Sequence, residues 1–193
     1  MRVWIISDTH FHHGNVIDYC DRPWAGPDEM DDALVERWNA HVDKDDVVIH
    51  LGDFAFASIG YTQHILNQLN GHIILILGNH DRRRPATKWE EMGVYKAFRK
   101  PQRIGDTIYL SHEPNAAWKP ENCNIYGHTH QNLGIPAHPS NHCVCVEQIG
   151  YAPIILFEHG IYDSIDELLS QFTELSAHEY AKAVDYIGRS SNE

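Results

Sequence analysis

The stretch "LILGNHDRRR", residues 75 to 84, joins an apolar run to a block of polar and charged side chains. The apolar run ends at Gly78, and Asn79, His80 and Asp81 follow it directly. Three arginines come next, although the whole chain carries a formal net charge of −12. A buried strand that ends in an amide, an imidazole and a carboxylate brings reactive groups to the strand end, where open α/β sheets bind their ligands. This junction predicts an α/β fold with a functional site at its strand ends.

The composition is that of a globular chain. Of the 193 residues, 42% are hydrophobic and 22% are charged, which is close to the average for soluble domains. No run approaches the roughly 20 apolar residues of a membrane helix, and the first apolar run is too short for a signal-peptide core. We expect one soluble, cytoplasmic domain over residues 1–193, with no membrane partner and with residues 161–189 as a C-terminal helical extension.

The net charge and the numbers of cysteines and histidines restrict the kinds of partner and ligand that this chain is expected to bind. An acidic surface disfavours a nonspecific nucleic-acid binder, because phosphate backbones are bound by clustered Lys and Arg. The four cysteines form no CxxC pair and are expected to be reduced thiols. The 15 histidines are several times the usual share, and histidine is the commonest metal ligand among side chains.

Short apolar runs alternate with amphipathic segments, a pattern typical of α/β proteins. Strands are predicted at residues 3–6, 47–51, 72–77, 107–111, 124–127, 143–149 and 152–158. Helices are predicted at residues 27–42 and 58–71, and as two short helices or one broken helix between 164 and 188. Residues 11–27 are interpreted as a long loop, and Thr87–Glu90 as a capping box.

Five of the predicted strands are followed by Asp, Asn or His. The residues concerned are Ser7-Asp8-Thr9-His10, Gly52-Asp53, Gly78-Asn79-His80-Asp81, His112, and Gly127-His128-Thr129-His130. Taken singly, each is explained as a cap, a turn or a satisfied histidine. Taken together, they predict a metal site along one edge of the sheets. Carboxylates, an amide oxygen and imidazoles suit Mn, Fe, Co or Zn better than a thiolate site or an all-oxygen site for Mg or Ca.

The order of these motifs resembles that of the calcineurin-like metallophosphoesterases. The motifs are D-x-H at Asp8, G-D at Asp53, G-N-H-D at residues 78–81, a lone His112 and G-H-x-H at residues 127–130. The flanks "ISDTHFHHGNVI", "HLGDF" and "LSHEPNAAW" are similar to those of the small bacterial and phage-type members. The resemblance implies an α/β fold that is a four-layer sandwich, two mixed β-sheets with helices on both outer faces.

The resemblance also implies a dinuclear centre of two divalent transition-metal ions (Mn, Fe, Zn, Co or Ni, with Mn favoured). One ion would be held by Asp8, His10, Asp53 and His130, and the other by Asp53, Asn79, His112 and His128. Two metals about 3.5–4 Å apart can clamp an in-line displacement at phosphorus. A water between them would lose a proton near neutral pH and become the nucleophile. The site would then be locally positive within an acidic protein.

His80 is not a metal ligand in the family pattern. The resemblance implies that its imidazole lies over the scissile phosphate and protonates the leaving oxygen or stabilises the developing charge. The alternative is a histidine that holds Asp53 or a backbone carbonyl. Asp81 is expected to cap the turn or to orient a neighbour.

Three residues are candidates for substrate contact. Arg82 can offer a fork of donors to a phosphate oxygen. His13 either touches phosphate or is exposed to solvent. Trp118 either stacks on a nucleobase or packs its loop onto the core. Arg83 and Arg84 are expected to be solvated or paired with carboxylates.

The chain departs from the serine/threonine protein phosphatases of the superfamily. After Gly52-Asp53 it reads "FAFAS" where they read G-D-Y-V-D-R-G, and "GNHD" replaces their G-N-H-E. The expected activity is therefore hydrolysis of a small, nucleotide-like phosphodiester or phosphomonoester by a metal-bridging hydroxide, with the diester favoured.

Two alternatives stay open from the residues alone. One is a nuclease on DNA or RNA that uses the basic stretches at residues 82–84 and 99–100. The other is a non-catalytic scaffold of the same fold. The acidic charge disfavours the first, and the complete set of ligand-type residues disfavours the second. The oligomeric state is not indicated.

Overall fold

The computed structural model describes residues 1–132 and 138–180 of the chain, and these residues form ten strands and six helices. The strands are β1 Val3–Ile6, β2 Val47–His50, β3 His72–Ile76, β4 Lys96–Phe98, β5 Gln102–Ile104, β6 Ile108–Ser111, β7 Cys123–Tyr126, β8 Asn141–Cys143, β9 Ile154–Phe157 and β10 Phe172–Glu174. The helices are α1 Gly14–Tyr19, α2 Pro27–Asn39, α3 Ile59–Leu66, α4 Ala86–Glu91, α5 Val146–Ile149 and α6 Ile165–Ser170.

The described strands form two mixed sheets of five strands each. The first has the order β4-β3-β2-β1-β9, in which only β9 runs antiparallel to its neighbour. The second has the order β10-β5-β6-β7-β8, in which β6, β7 and β8 are mutually parallel. Because β1, β2 and β3 are parallel, the loops that follow them leave the sheet at the same edge.

The alternation of side chains along each strand builds two cores. Ile5, Ile49 and Ile74 point between the sheets and pack with Leu110 and Ile125 of the second sheet. Their neighbours in the first three strands point the other way and pack against helices α2, α3 and α4. Strands β1, β2 and β3 are therefore buried on both faces, which explains their continuous apolar runs.

Helix α2 shows why the outer layer forms where it does. Pro27 occupies the first turn, where its missing N–H costs nothing. Met30, Leu34 and Trp38 recur at helical spacing and are buried against the sheet. This helix is a predicted element that the structure confirms.

The predicted fold class is confirmed as an α/β sandwich of two mixed sheets with flanking helices. The prediction missed three strands of three residues each, β4, β5 and β10. The strand predicted at residues 143–149 is wrong: β8 ends at Cys143, and Val146–Ile149 is a helical turn. A short apolar run does not distinguish a buried strand from a buried helix, and both Val146 and Ile149 pack into the core here.

Three local predictions also need correction. Helix α3 ends at Leu66, four residues before Asn70. Helix α4 begins after Pro85, and no side chain caps it, so the capping box at Thr87 is wrong. The segment predicted as a loop over residues 11–27 contains α1.

The C-terminal part that the structure describes contains one helix and one strand. Ser164 caps α6 by accepting a hydrogen bond from the Glu167 N–H. Residues 176–180 form a single turn, in which the Tyr180 N–H donates to the Ser176 carbonyl. Residues 181–189 of the predicted helical extension lie outside the described residues. Within the described ranges, no helix has the length and apolar character needed to cross a bilayer.

Candidate metal centre

The first group of candidate ligands comes from the loops after β1 and β7. One atom each of Asp8, His10 and His130 lies within 4.8 Å of the others. Asp8 Oδ1 is 3.8 Å from His10 Nε2 and 3.9 Å from His130 Nε2. The other oxygen, Asp8 Oδ2, accepts hydrogen bonds from the His128 N–H and the Cys145 thiol. The fold therefore holds one carboxylate oxygen and leaves the other facing the two imidazoles.

The second group comes from the loops after β2, β3, β6 and β7. It consists of Asp53, His112 and His128, again with one atom of each within 4.8 Å of the others. His112 Nε2 is 3.4 Å from Asp53 Oδ2 and 3.1 Å from His128 Nδ1. The amide oxygen of Asn79 is 2.9 Å from the same His112 nitrogen. All four side chains thus converge.

Asp53 connects the two groups. Its Oδ2 lies 3.6 Å from His10 Nε2 in the first group and 3.4 Å from His112 Nε2 in the second. Its Oδ1 accepts the His80 N–H at 3.0 Å. One oxygen of this buried carboxylate is therefore fixed by the backbone, and the other faces imidazoles on both sides.

The donor set fits divalent cations. Asp8 Oδ1 and His10 Nε2 are buried atoms without a hydrogen-bond partner among the described residues. Buried polar atoms are normally paired, so two orphans that face each other need an explanation. Asp, His and Asn side chains are suitable ligands for transition metals. A cation held by these two side chains would satisfy both atoms.

The backbone at this site is strained. Five of the seven predicted ligands have a left-handed backbone, namely Asp8, His10, Asp53, His128 and His130, with φ between 50° and 72°. This conformation costs about 1–2 kcal/mol for a residue with a side chain. Strain of this kind persists where surrounding contacts force it, and it concentrates at functional sites.

The glycines of the motifs are required by close approach. A Cβ added at Gly78 would overlap the side-chain Oδ1 and the backbone nitrogen of Asp53. A Cβ added at Gly127 would overlap Ser7 Oγ and Asp8 Oδ2. Both glycines therefore allow a neighbouring loop to place its carboxylate.

Burial and pairing shift the pKa values of these groups. Burial alone would lower the pKa of His112, but the Asp53 carboxylate raises it to about 9. Burial would raise the pKa of Asp53, yet the charge of His112 and its hydrogen bond hold it well below the usual range. Burial lowers the pKa of His10 well below its ordinary value, which keeps that ring neutral. The site thus favours positive charge beside Asp53 and offers a neutral imidazole next to it.

Sequence reasoning missed an ion pair that holds the first group. Arg22 is buried and donates to the carbonyl oxygens of Asp8 and Thr9, both at 2.8 Å. Its guanidinium also pairs with Glu147 at 2.6 Å. Glu147 Oε1 in turn lies 3.0 Å from His130 Nδ1, where the ring N–H can donate to it. Arg22 and Glu147 therefore fix both the Asp8 loop and the His130 ring.

Two further buried residues hold the loops. His50 Nδ1 accepts the Gly52 N–H, and its Nε2 lies 3.0 Å from Thr9 Oγ1. Burial lowers the pKa of His50 to about 3, so the ring is neutral. Asp81 accepts N–H groups of Gly78, Asp53 and Phe54, which joins the loops after β2 and β3. The one signal for His50 was a histidine inside the apolar run "VVIHL".

His80 and His13 border the same cleft. His80 Nε2 is 3.9 Å from Asp53 Oδ2, and the side chain remains 30% exposed. The His13 ring lies 5.1 Å from that of His10 and 5.9 Å from that of His80. Both imidazoles line a cavity of about 420 Å³ together with the candidate metal ligands His10, Asp53, Asn79, His128 and His130.

The other two candidates for substrate contact are placed differently. Arg82 forms a fork with Glu113, with N–O distances of 3.1 and 3.2 Å. The Trp118 ring lies 5.0 Å from that of His138. Neither residue lines the cleft of the candidate ligands, whereas Arg83 does. Glu113 already engages the Arg82 guanidinium, whereas the Arg83 guanidinium borders the cleft.

Comparison with known proteins places this chain in a protein family. A family model described as the calcineurin-like phosphoesterase superfamily domain matches residues 1–143. An uncharacterized protein of Methanocaldococcus jannaschii is 32% identical over 165 residues, which cover 80% of this chain and 87% of that protein. The gene 66 protein of Mycobacterium phage D29 is 46% identical over 89 residues, 43% of this chain and 42% of its own length.

A solved structure supports the same fold. The crystal structure of a protein of unknown function from Aquifex aeolicus aligns with a TM-score of 0.57 and 24% identity. The alignment covers 80% of this chain and 95% of that chain. At this level of identity the likeness concerns the fold alone.

Proposed function

Because the chain belongs to the calcineurin-like phosphoesterase superfamily, we propose that it hydrolyses small phosphate esters with the help of two divalent cations. The superfamily consists in general of metal-dependent phosphoesterases. We assign one cation to Asp8, His10, Asp53 and His130, and the other to Asp53, Asn79, His112 and His128. Mn is the favoured ion of the set Mn, Fe, Zn, Co and Ni, since the same ligands accept several metals.

The observation that carries the proposal is the position of Asp53 Oδ2 between the two groups. It faces a histidine nitrogen of each group at 3.6 and 3.4 Å. A carboxylate placed in this way can serve two cations at once, which two separate mononuclear sites would not need. Two adjacent cations are the arrangement that suits displacement at phosphorus.

The side chains of the cleft have separate roles in the proposed reaction. When bound, the cations supply a positive field for the phosphate and a nucleophile at neutral pH. Asp8 and Asp53 hold them, and the hydrogen bonds to the opposite oxygens of these carboxylates prevent rotation. His80 has its backbone fixed on Asp53 and its ring partly exposed, so its Nε2 can give a proton to the leaving oxygen.

The proposed substrate is a small phosphodiester, with a monoester as the second choice and a nucleotide-like compound as the expected class. A cavity of about 420 Å³ holds a molecule of this size.

The test is hydrolysis of bis(p-nitrophenyl) phosphate and of p-nitrophenyl phosphate. Chelator-treated protein is assayed with Mn, Ni, Zn or Mg, and bound metal is counted by elemental analysis after dialysis. We expect turnover with a transition metal, two ions per chain, and a faster rate on the diester. His80→Ala should lower kcat by about 100-fold or more while both ions stay bound.

Controls separate the chemistry from folding. His142→Ala removes an exposed histidine of β8 that belongs to neither group of candidate ligands and does not line the cleft, and it should leave the rate unchanged. Asn79→Ala should lower the affinity for one ion only. If the protein binds no metal, or if His142→Ala lowers the rate as much as His80→Ala, the proposal is wrong.

A further inference from the structure

A second cavity adjoins the metal-centre cleft. Its volume is about 480 Å³, and it is lined on its far side by His12, Ser58 and Arg84. Phe56, His80 and Arg83 line both this cavity and the metal-centre cleft. The two spaces are therefore neighbours with a common wall, and His80 stands in that wall.

The position of His80 determines which part of a substrate would lie in the metal-centre cleft and which part in the second cavity. Its ring is 5.4 Å from that of His10 on the metal side and 5.5 Å from that of Phe56 on the other side. If His80 gives a proton to the leaving oxygen, the phosphorus lies on its metal side. The rest of the leaving alcohol must then extend past His80 into the second cavity.

The second cavity is lined by positive charge. Arg83 and Arg84 border it, and among the residues that the structure describes no Asp or Glu lines it. Arg84 donates to the Ala57 carbonyl at 2.6 Å. Arg83 lies over the Phe56 ring at 4.9 Å and has no hydrogen-bond or ion-pair partner in residues 1–132 and 138–180. The donors of Arg83 are thus available to a ligand.

The aromatic wall does not favour a stacked base. Phe56 is 40% exposed, but its ring is already stacked on His13 at 4.6 Å and covered by Arg83. Its role is to hold the Arg83 guanidinium at the mouth of the cavity through a cation–π contact. The recognition element is therefore the guanidinium, which binds phosphate oxygens in a fork.

We propose that the cavity of Phe56, Arg83 and Arg84 binds the leaving group, and that the substrate is a phosphodiester whose leaving alcohol carries a second phosphate. This inference rests on the proposed function. Hydrolysis breaks the P–O bond to that alcohol and forms a P–O bond to the oxygen of water. The leaving oxygen takes up a proton from His80, and the proton that the water gives up restores the protonated His80 ring. Arg83 holds the second phosphate while this occurs, so it determines which diesters are cleaved.

The experiment compares four diesters with the Mn-loaded enzyme. They are bis(p-nitrophenyl) phosphate, thymidylyl-thymidine, and the two forms of thymidylyl-thymidine that carry one more phosphate, on the 5′ or on the 3′ terminal hydroxyl. We expect kcat/KM to be about tenfold higher for a form with the extra phosphate than for the form without it. Arg83→Gln should abolish that ratio. Arg99→Gln, which removes an exposed arginine outside both cavities, should keep it.

A binding measurement tests the cavity without turnover. Calorimetry on chelator-treated protein at low salt should show thymidine monophosphate binding about tenfold more tightly than thymidine. Arg83→Gln should remove this difference, and Arg99→Gln should not.

The two proposals fail in different ways. If neither the diesters nor p-nitrophenyl phosphate is hydrolysed with any metal, the proposed function is wrong, and the inference that rests on it is wrong as well. If bis(p-nitrophenyl) phosphate is hydrolysed but the extra phosphate brings no preference, the inference is wrong and the function stands. Retention of the preference in Arg83→Gln also overturns it.

Discussion

At the scale of single residues, the site depends on side chains that hold carboxylates and imidazoles in place. Asp8 and Asp53 each have one oxygen bound by backbone N–H groups and one turned to the cleft. Glycines make room for those oxygens, and a buried ion pair orients a histidine. Each of these devices can be removed separately.

Gly127→Ala should weaken both the fold and the metal centre. The new Cβ would overlap Asp8 Oδ2 and Ser7 Oγ, which are buried and have no room to move. We expect a loss of about 1–3 kcal/mol in the free energy of unfolding, measured with urea. The control is Gly60→Ala in α3, where a Cβ meets nothing within 4 Å and should stabilise the helix slightly. Equal effects of the two substitutions would contradict the close-approach argument.

Glu147→Gln should weaken one cation site and spare the other. The carboxylate faces His130 Nδ1 and pairs with Arg22, so its loss reduces the basicity and order of the ring. Removal of a group behind a metal ligand typically lowers affinity by about 10–100-fold. Stepwise Mn titration against a chelating dye should show that loss in one of the two sites. Glu158→Gln, at an exposed position, is the control and should change neither.

His50 should make the metal-free protein sensitive to acid. Its pKa is about 3 in the fold against an ordinary value of 6.5. Below pH 6.5 His50 takes up a proton in the unfolded chain but stays neutral in the folded protein. The stability that neutral His50 gives is therefore complete above pH 6.5 and is lost as the pH falls towards 3.

Urea unfolding in chelator checks this dependence. Between about pH 7.5 and about pH 5.5, wild-type protein should lose about 1.4 kcal/mol more unfolding free energy than His50→Gln, which cannot take up that proton. The comparison uses the change with pH in each protein, so an overall destabilisation by the substitution does not matter. Parallel pH curves for the two proteins would refute this role of His50.

At the scale of elements, the C-terminal segment is integrated with the core. Leu168 of α6 is fully buried between the sheets. Strand β10 pairs with β5, and its Phe172 stacks on Phe98 of β4 at 5.5 Å. Since β4 and β10 lie at edges of different sheets, this contact joins the two sheets.

Leu168→Ala should therefore destabilise the whole fold. A buried leucine truncated to alanine costs about 2–5 kcal/mol, and the urea midpoint of the entire transition should shift accordingly. Ile161→Ala, at a position that is 56% exposed, should stay within about 0.5 kcal/mol of wild type. A shift confined to a separate minor transition would show instead that α6 is an independent appendage.

At the scale of the whole molecule, the candidate metal ligands lie where both sheets end. Asp8, Asp53 and Asn79 follow strands of the first sheet, whereas His112, His128 and His130 follow strands of the second. Cations held there would connect the sheets and would also neutralise part of the net charge of −12. Metal binding should then be a contribution to stability as well as to catalysis.

Removal of metal should lower the melting temperature. A ligand that binds only the fold, at 100 times its Kd, stabilises it by about 2.7 kcal/mol, which is about 5–10 °C for a chain of this size. Melting curves of Mn-loaded and chelator-treated protein should show this gap, and Asp53→Asn should abolish most of it. An unchanged melting temperature would mean that the two sheets do not need the cations.

The sequence by itself determined the six described strands of four or five residues, the α/β class and the residues that follow those strands. These features are local: apolar runs, glycines and polar strand ends are all visible within ten residues, as in "LILGNHDRRR". What it could not determine were contacts between distant segments, such as Arg22 with Glu147, which are 125 positions apart. The three-residue strands were missed for the same reason, because pairing partners rather than their own patterns define them.

Which of the three arginines at residues 82–84 faces the cleft was also decided by the tertiary structure. Arg82 and Arg83 lie in one 3-10 turn, where successive side chains point about 120° apart. The sequence places them side by side, and only the packed loops decide which guanidinium meets Glu113 and which meets the cleft. The order of residues is given by the sequence, but the direction in which each side chain points is fixed by the residues that pack around it in the fold.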